Sequence, residues 1–370
     1  MNINPNATMR FSLRFARGLN ALIFSVLLLV QSACANNLTA APTTHPKEGT
    51  PVTDTPTPKP SKTPSPSPTT TSTPSIIGAW SDAPAMAIPR SAHAVANSDS
   101  AIYALAGTDD HGKPVFEVEV FDGKDWKTET TLPGEGLNAP TASVVDQKLY
   151  VVGGFLAVSS SPTNEVQVYD LQTQQWSNAS PLPNPRGGHV AVVLDGRIHV
   201  FGGGNSVSTL ADHSEYDPAT DSWRDLAPLP RSEGSPAAVA IDGKIYVIGG
   251  RSGFSDFGDV YIYDPETDTW STGPSIDPRG TAGAVYYCGG IYLFGGESQS
   301  QRKNLDEAWR LDLERNVWEP VTAMPIARKF ARAVVFMNSV FIVGGSVVPA
   351  SSHSPIGSNS VLKFTQPGCS

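Results

Sequence analysis

Arg90, Arg186, Arg279 and Arg328 fall in register with Leu137 and Glu233, at successive intervals of 47, 49, 47, 46 and 49 residues. Guanidinium groups gathered at one rim would hold carboxylates or polyhydroxylated ligands, because each offers a planar fork of N–H donors. Glu233 breaks the pattern and has Arg231 two residues before it. Arg90, Arg186, Glu233, Arg279 and Arg328, with His93 and His189, are the candidate ligand-binding set. The arginines also have a structural reading, as ties between repeats through backbone contacts. His93, His111, His189, His213 and His353 share the same segments, but their spacings match no compact metal-ligand motif. They read as lone surface histidines, and Asp109-Asp110-His111-Gly112 reads as a turn.

Those residues need elements to position them, and the chain supplies a repeat. Ile241 to Trp270 is its clearest copy. Two apolar strands flank Asp242-Gly243, a dipeptide suited to a tight hairpin turn. The doubled Gly249-Gly250 ends the second strand, VYIYD forms a third, and PETDT turns into a fourth at Trp270. A four-stranded sheet with two apolar faces must stack on its own copies. Gly107, Gly154, Gly203, Gly250, Gly296 and Gly345 mark six such units. A period of that size with four strands per unit is the signature of a propeller blade.

These landmarks resemble the kelch family. Phe121-Asp122 with Trp126, Tyr169-Asp170 with Trp176, Tyr216-Asp217 with Trp223 and Tyr263-Asp264 with Trp270 carry the resemblance, and Leu311-Asp312 with Trp318 departs from it by losing the ring. It implies an all-β, six-bladed propeller over 76–370, closed by an N-terminal strand around Trp80 that completes the last blade beside residues 360–364. A five-bladed ring with a frayed end is the rival count. Antiparallel order then puts the Gly-Gly ends and the long loops after them on one rim, the upper face, where function would reside. The resemblance to galactose oxidase stops at the blades, since Cys288 and Cys369 fall on the opposite rim from its copper-radical site. The resemblance to the periplasmic kelch protein that interconverts sialic acid forms is closer in blade number, although no motif matches residue by residue; it implies an acid/base carboxylate beside an arginine that clamps the sugar acid, with Glu233, Arg279 and Arg186 as the candidate catalytic set.

Residues 1–34 read as a signal peptide. Arg10, Arg14 and Arg17 precede an apolar stretch over 21–30 that is too short to span a bilayer. Gln31-Ser32-Ala33-Cys34 resembles a lipobox that would lipidate Cys34, with Gln31 where an aliphatic residue is usual; cleavage at Ala33-Cys34-Ala35 is the alternative. Residues 35–75 are a Pro/Thr/Ser-rich spacer with almost nothing to bury. The remainder holds 20 Lys/Arg against 33 Asp/Glu, a formal −13. Such an acidic body argues against nucleic acid and against adsorption on anionic lipid. Cys288, in a hairpin turn of the fifth repeat, and Cys369 lie on the same face of neighbouring blades, either bridged or both unpaired.

The reading drawn from these residues is an exported protein, lipid-anchored at the bacterial cell envelope or else soluble in the periplasm, acting as a monomer. It binds a protein or glycan through its upper loops, needs no cofactor or metal, and is not an enzyme. The alternative is a sugar-acid mutarotase or epimerase of the sialic acid type.

Overall fold

Six four-stranded antiparallel sheets form the ring seen in the computed structural model, which describes residues 77–348 and 356–369. The signal-peptide and spacer readings lie outside the described residues. Among the described residues there is no helix. Blade 4 shows the common order: Ala237–Ile241, Lys244–Ile248, Val260–Asp264 and Thr269–Thr272, paired in sequence. Blade 6 departs from it. Its inner strands are Arg332–Phe336 and Ser339–Val343, its third is Val361–Thr365, and its outer strand is Ala79–Ala83 from the other end of the chain. Trp80 lies opposite Phe364 in that pairing, so the ring has six blades and closes where the Trp80 landmark implied.

The repeated residues have repeated physical tasks. At the lower hairpins of five blades both turn residues take positive φ, for example Asp195 and Gly196, or Cys288 and Gly289. That conformation matches the right-handed twist of the strands on either side. Each repeat tryptophan ties its blade to the preceding one. Trp223 Nε1 donates to the Ser180 carbonyl oxygen (2.8 Å), Trp270 to Ala227 (2.9 Å), Trp318 to Pro274 (2.8 Å), Trp126 to Pro84 (2.8 Å) and Trp80 to Thr322 (2.9 Å). Trp176 uses the Thr130 hydroxyl instead, at 3.2 Å. The same rings pack on the aromatic residue of the landmark pair, with Tyr216 and Trp223 centroids 5.0 Å apart. The indole thus contributes apolar area and satisfies its own donor.

The doubled glycine is a blade-to-blade joint. The second glycine donates its amide to the carbonyl oxygen of the leading residue of the next blade: Gly107 to Leu137, Gly154 to Arg186, Gly203 to Glu233, Gly250 to Arg279, Gly296 to Arg328 and Gly345 to Arg90, all between 2.8 and 3.0 Å. A Cβ on Gly202 would sit 2.3 Å from the Glu233 carbonyl oxygen, at a φ of +58°. Cys288 and Cys369 are joined by a disulfide, with Cα atoms 5.5 Å apart, which fastens the C-terminal segment of blade 6 to blade 5.

Candidate functional site

The leading arginines turn into their own blades. Arg90 is fully buried and pairs with the equally buried Glu119, donating to its carboxylate at 2.9 and 3.2 Å and to the carbonyl oxygens of Ala106 and Glu117. Arg186 donates to Asp212 (3.1 Å), Arg279 to Glu307 (2.8 Å) and Arg328 to the Gly344 carbonyl oxygen (2.9 Å). Burial pushes the Arg328 guanidinium down to about 10. These groups staple the head of a blade to the end of its second strand and the start of its third, and they do not form a ring around the mouth. Leu137, at the same position in blade 2, is a core side chain.

Glu233 takes the arginine's place in blade 4 and behaves differently. It is fully buried, and neither carboxyl oxygen has a hydrogen-bond partner. Arg231 Nη2 stands 3.9 Å from it, but that guanidinium is engaged by Asp259 and lies over the Phe257 ring, 3.6 Å from its centroid. Desolvation raises the Glu233 carboxyl to about 8; Arg231 opposes the shift and Asp259 adds to it. Burial wins because the nearby cation is already neutralised by Asp259. The result is a carboxyl that keeps its proton at neutral pH. Glu233 is not in contact with Arg186 or Arg279, each of which is committed to a carboxylate of its own blade.

The surface reading of the histidines is corrected. His93, His189 and His213 are 0, 2 and 1% exposed; only His111 lies in solvent, and His353 lies outside the described residues. His93 and His189 occupy equivalent places and fill space against the Gly-Gly ends of the preceding blades. His213 stacks on Phe201 (4.2 Å) and bonds His199 (3.1 Å), whose other nitrogen faces Glu215 at 3.3 Å. Burial holds His213 at about 3, His199 at about 4 and His189 at about 3, so all three are neutral imidazoles. Asp109, Asp110 and His111 do form a turn, in which Asp109 caps the amides of His111 and Lys113.

Two groups near the axis lie outside the row of leading residues. At the upper mouth Glu297 is buried between Arg251, which donates to its Oε1, and Lys329, 3.7 Å from its Oε2. Below them runs a channel walled by the first strands, with a cavity of about 110 Å³ near the mouth and one of about 370 Å³ further down. Ala142, Ala191, Ala238, Ala284 and Ala333 line it, and among the described residues Arg332 is the only charged side chain in its wall. The signal for Arg332 was present in the sequence: its equivalents in the other blades are Ala94, Thr141, Val190, Ala237 and Gly283.

The chain belongs to the kelch-repeat family. The KLHDC2/KLHL20/DRC7 Kelch-repeats domain matches residues 77–229 and, overlapping them, 139–345. Kelch-like protein 23 of Mus musculus is 25% identical over 70% of this chain, and Kelch-like protein 26 of Danio rerio is 29% identical over 30% of it. The matched segments span 38% and 19% of those relatives. Among solved structures, that of YjhT superposes with a TM-score of 0.66 at 17% identity, covering 75% of this chain and 96% of that one. The preference for a non-catalytic protein is corrected by this match. The ring reproduces nearly all of the YjhT fold, and the lack of a converging motif in the sequence does not count against catalysis.

Proposed function

We propose that the ring is a sugar-acid mutarotase or epimerase of the sialic acid type, with its site on the upper loop of blade 4. The observation that carries this reading is the Glu233 carboxyl, buried, unbonded and raised to about 8. Opening a cyclic hemiketal needs an acid that still holds its proton near neutrality. Glu233 gives that proton to the ring oxygen as the C–O bond to the anomeric carbon breaks. Asp259, half-exposed beside Arg231, takes the proton of the anomeric hydroxyl, and reclosure on the other face reverses both transfers. Arg231 turns from Asp259 to the substrate carboxylate, and the Phe257 ring beneath it offers an apolar face to the sugar.

The roles separate by kinetics. Glu233→Gln removes the proton and lowers kcat, whereas Arg231→Met removes the clamp and acts chiefly through KM. Equal losses of kcat in both variants with unchanged KM would overturn the assignment.

A second reading rests on the loop tips. Val158, Val207 and Phe254, on the upper loops of blades 2, 3 and 4, are 80, 91 and 89% exposed. Apolar tips of this kind suit a protein or glycan surface. The proposal includes export from the cytoplasm, with lipid at Cys34; the Cys288–Cys369 bridge supports an oxidising compartment. Removal of palmitate labelling by Cys34→Ser is the check on the anchor.

A further inference from the structure

We infer that the axial channel holds a small carboxylate or comparable monoanion on Arg332. A guanidinium in a wall of alanine, glycine and valine is costly unless something balances its charge. Arg332 Nε donates to the His93 carbonyl oxygen at 2.8 Å, which fixes the root of the group. Its two terminal nitrogens have no hydrogen-bond partner among the described residues, and no carboxylate pairs with it. Arg90, Arg186 and Arg279 each hold a carboxylate, and Arg328, four residues before Arg332, still gives Nη1 to the Gly344 carbonyl oxygen, so of these five Arg332 alone leaves both terminal nitrogens unbonded.

The surroundings select the ligand. His93 and His189 are the titratable groups whose charge Arg332 opposes, and both are buried and neutral, so the group faces no competing anion. Burial with no counter-charge pulls the Arg332 guanidinium down to about 10, the shift that a bound anion would reverse. The adjoining cavity of about 110 Å³ exceeds the roughly 30 Å³ share of one water, so an acetate-sized group fits. A planar carboxylate meets the two terminal nitrogens in the bidentate geometry that guanidinium favours. This inference is independent of the role given to Glu233, because it concerns binding and not turnover.

The test is thermal unfolding of the full chain at constant ionic strength, with sodium acetate titrated against a sulfonate too bulky for the channel. Wild type should show a saturable rise in Tm, and Arg332→Gln should show none, its apparent affinity falling by about tenfold or more. Should Arg332→Gln fold poorly, Ala191→Leu fills the opposite wall while leaving the guanidinium in place, and it should abolish the same response. A parallel titration with N-acetylneuraminate separates the sources. A rise that requires Arg332 with the sugar acid but not with acetate means that the carboxylate arrives on a sugar, and the site stands. Equal responses in wild type and Arg332→Gln, or none in wild type with either probe, overturn it.

Discussion

The amide of Gly345 donates to the carbonyl oxygen of Arg90 across 3.0 Å, joining the end of blade 6 to the head of blade 1. It is the sixth copy of a bond made at every other blade junction, so the ring closes with the same joint by which it propagates. Trp80, in the strand that completes blade 6, packs that blade on blade 5, 5.0 Å from the Phe364 ring and 5.6 Å from Phe294. Trp80→Ala removes both ring contacts and the bond to Thr322. Urea unfolding should register a loss of about 3–5 kcal/mol. A change under about 0.5 kcal/mol would mean that closure does not depend on this strand.

Glu119 should matter for stability and not for ligand. Its carboxylate is the counter-charge of Arg90, and both side chains are fully buried. Glu119→Ala strands the guanidinium, and we expect a loss of about 3–5 kcal/mol in chemical denaturation. Ligand affinity of the folded fraction should be unchanged.

The disulfide constrains a long segment, since Cys288 and Cys369 are 81 residues apart in sequence. Cys288→Ser with Cys369→Ser should lower stability by about 2–4 kcal/mol. The wild-type protein in reductant should shift by a similar amount, and the double variant should not respond to reductant at all.

The elements that make the ring were legible because each landmark has one local task. Gly249-Gly250 ends a strand where another chain passes too closely for a Cβ, and Trp270 both packs and donates. The direction of a side chain was less legible. The period placed Arg90, Arg186, Arg279 and Arg328 in one row, but whether a row faces the axis or the blade depends on the backbone after it. There Ala92, Ala139, Ser235, Thr281 and Phe330 take positive φ without being glycine, a turn that no residue type announces. His93 and His189 were misplaced for the same reason. Glu233 stood out because it departs from the row, whereas Arg332 departs from a second row, four residues on, whose place in the channel wall only the folded strands reveal.

Stability should carry the imprint of Glu233. Its carboxyl is raised to about 8 in the folded ring and has its ordinary value near 4.5 when unfolded. Between these values the unfolded chain has released a proton that the folded one retains, so stability falls as pH rises from about 4.5 to 8 and levels off above. At about 1.4 kcal/mol per pH unit the effect over this window is on the order of 5 kcal/mol. Glu233→Gln should lack this slope, so the variant gains on wild type as pH rises through the window. A constant difference between the two from pH 5 to 9 would contradict the protonated carboxyl.

The most direct measurement is the rate at which freshly dissolved N-acetylneuraminate equilibrates between its anomers, followed by one-dimensional proton NMR with catalytic amounts of protein near pH 7. The account predicts acceleration by the wild-type ring, falling as pH passes 8, and a loss of about a hundredfold or more in Glu233→Gln. Equilibration at the buffer rate with wild-type protein, or acceleration that survives Glu233→Gln unchanged, would contradict it.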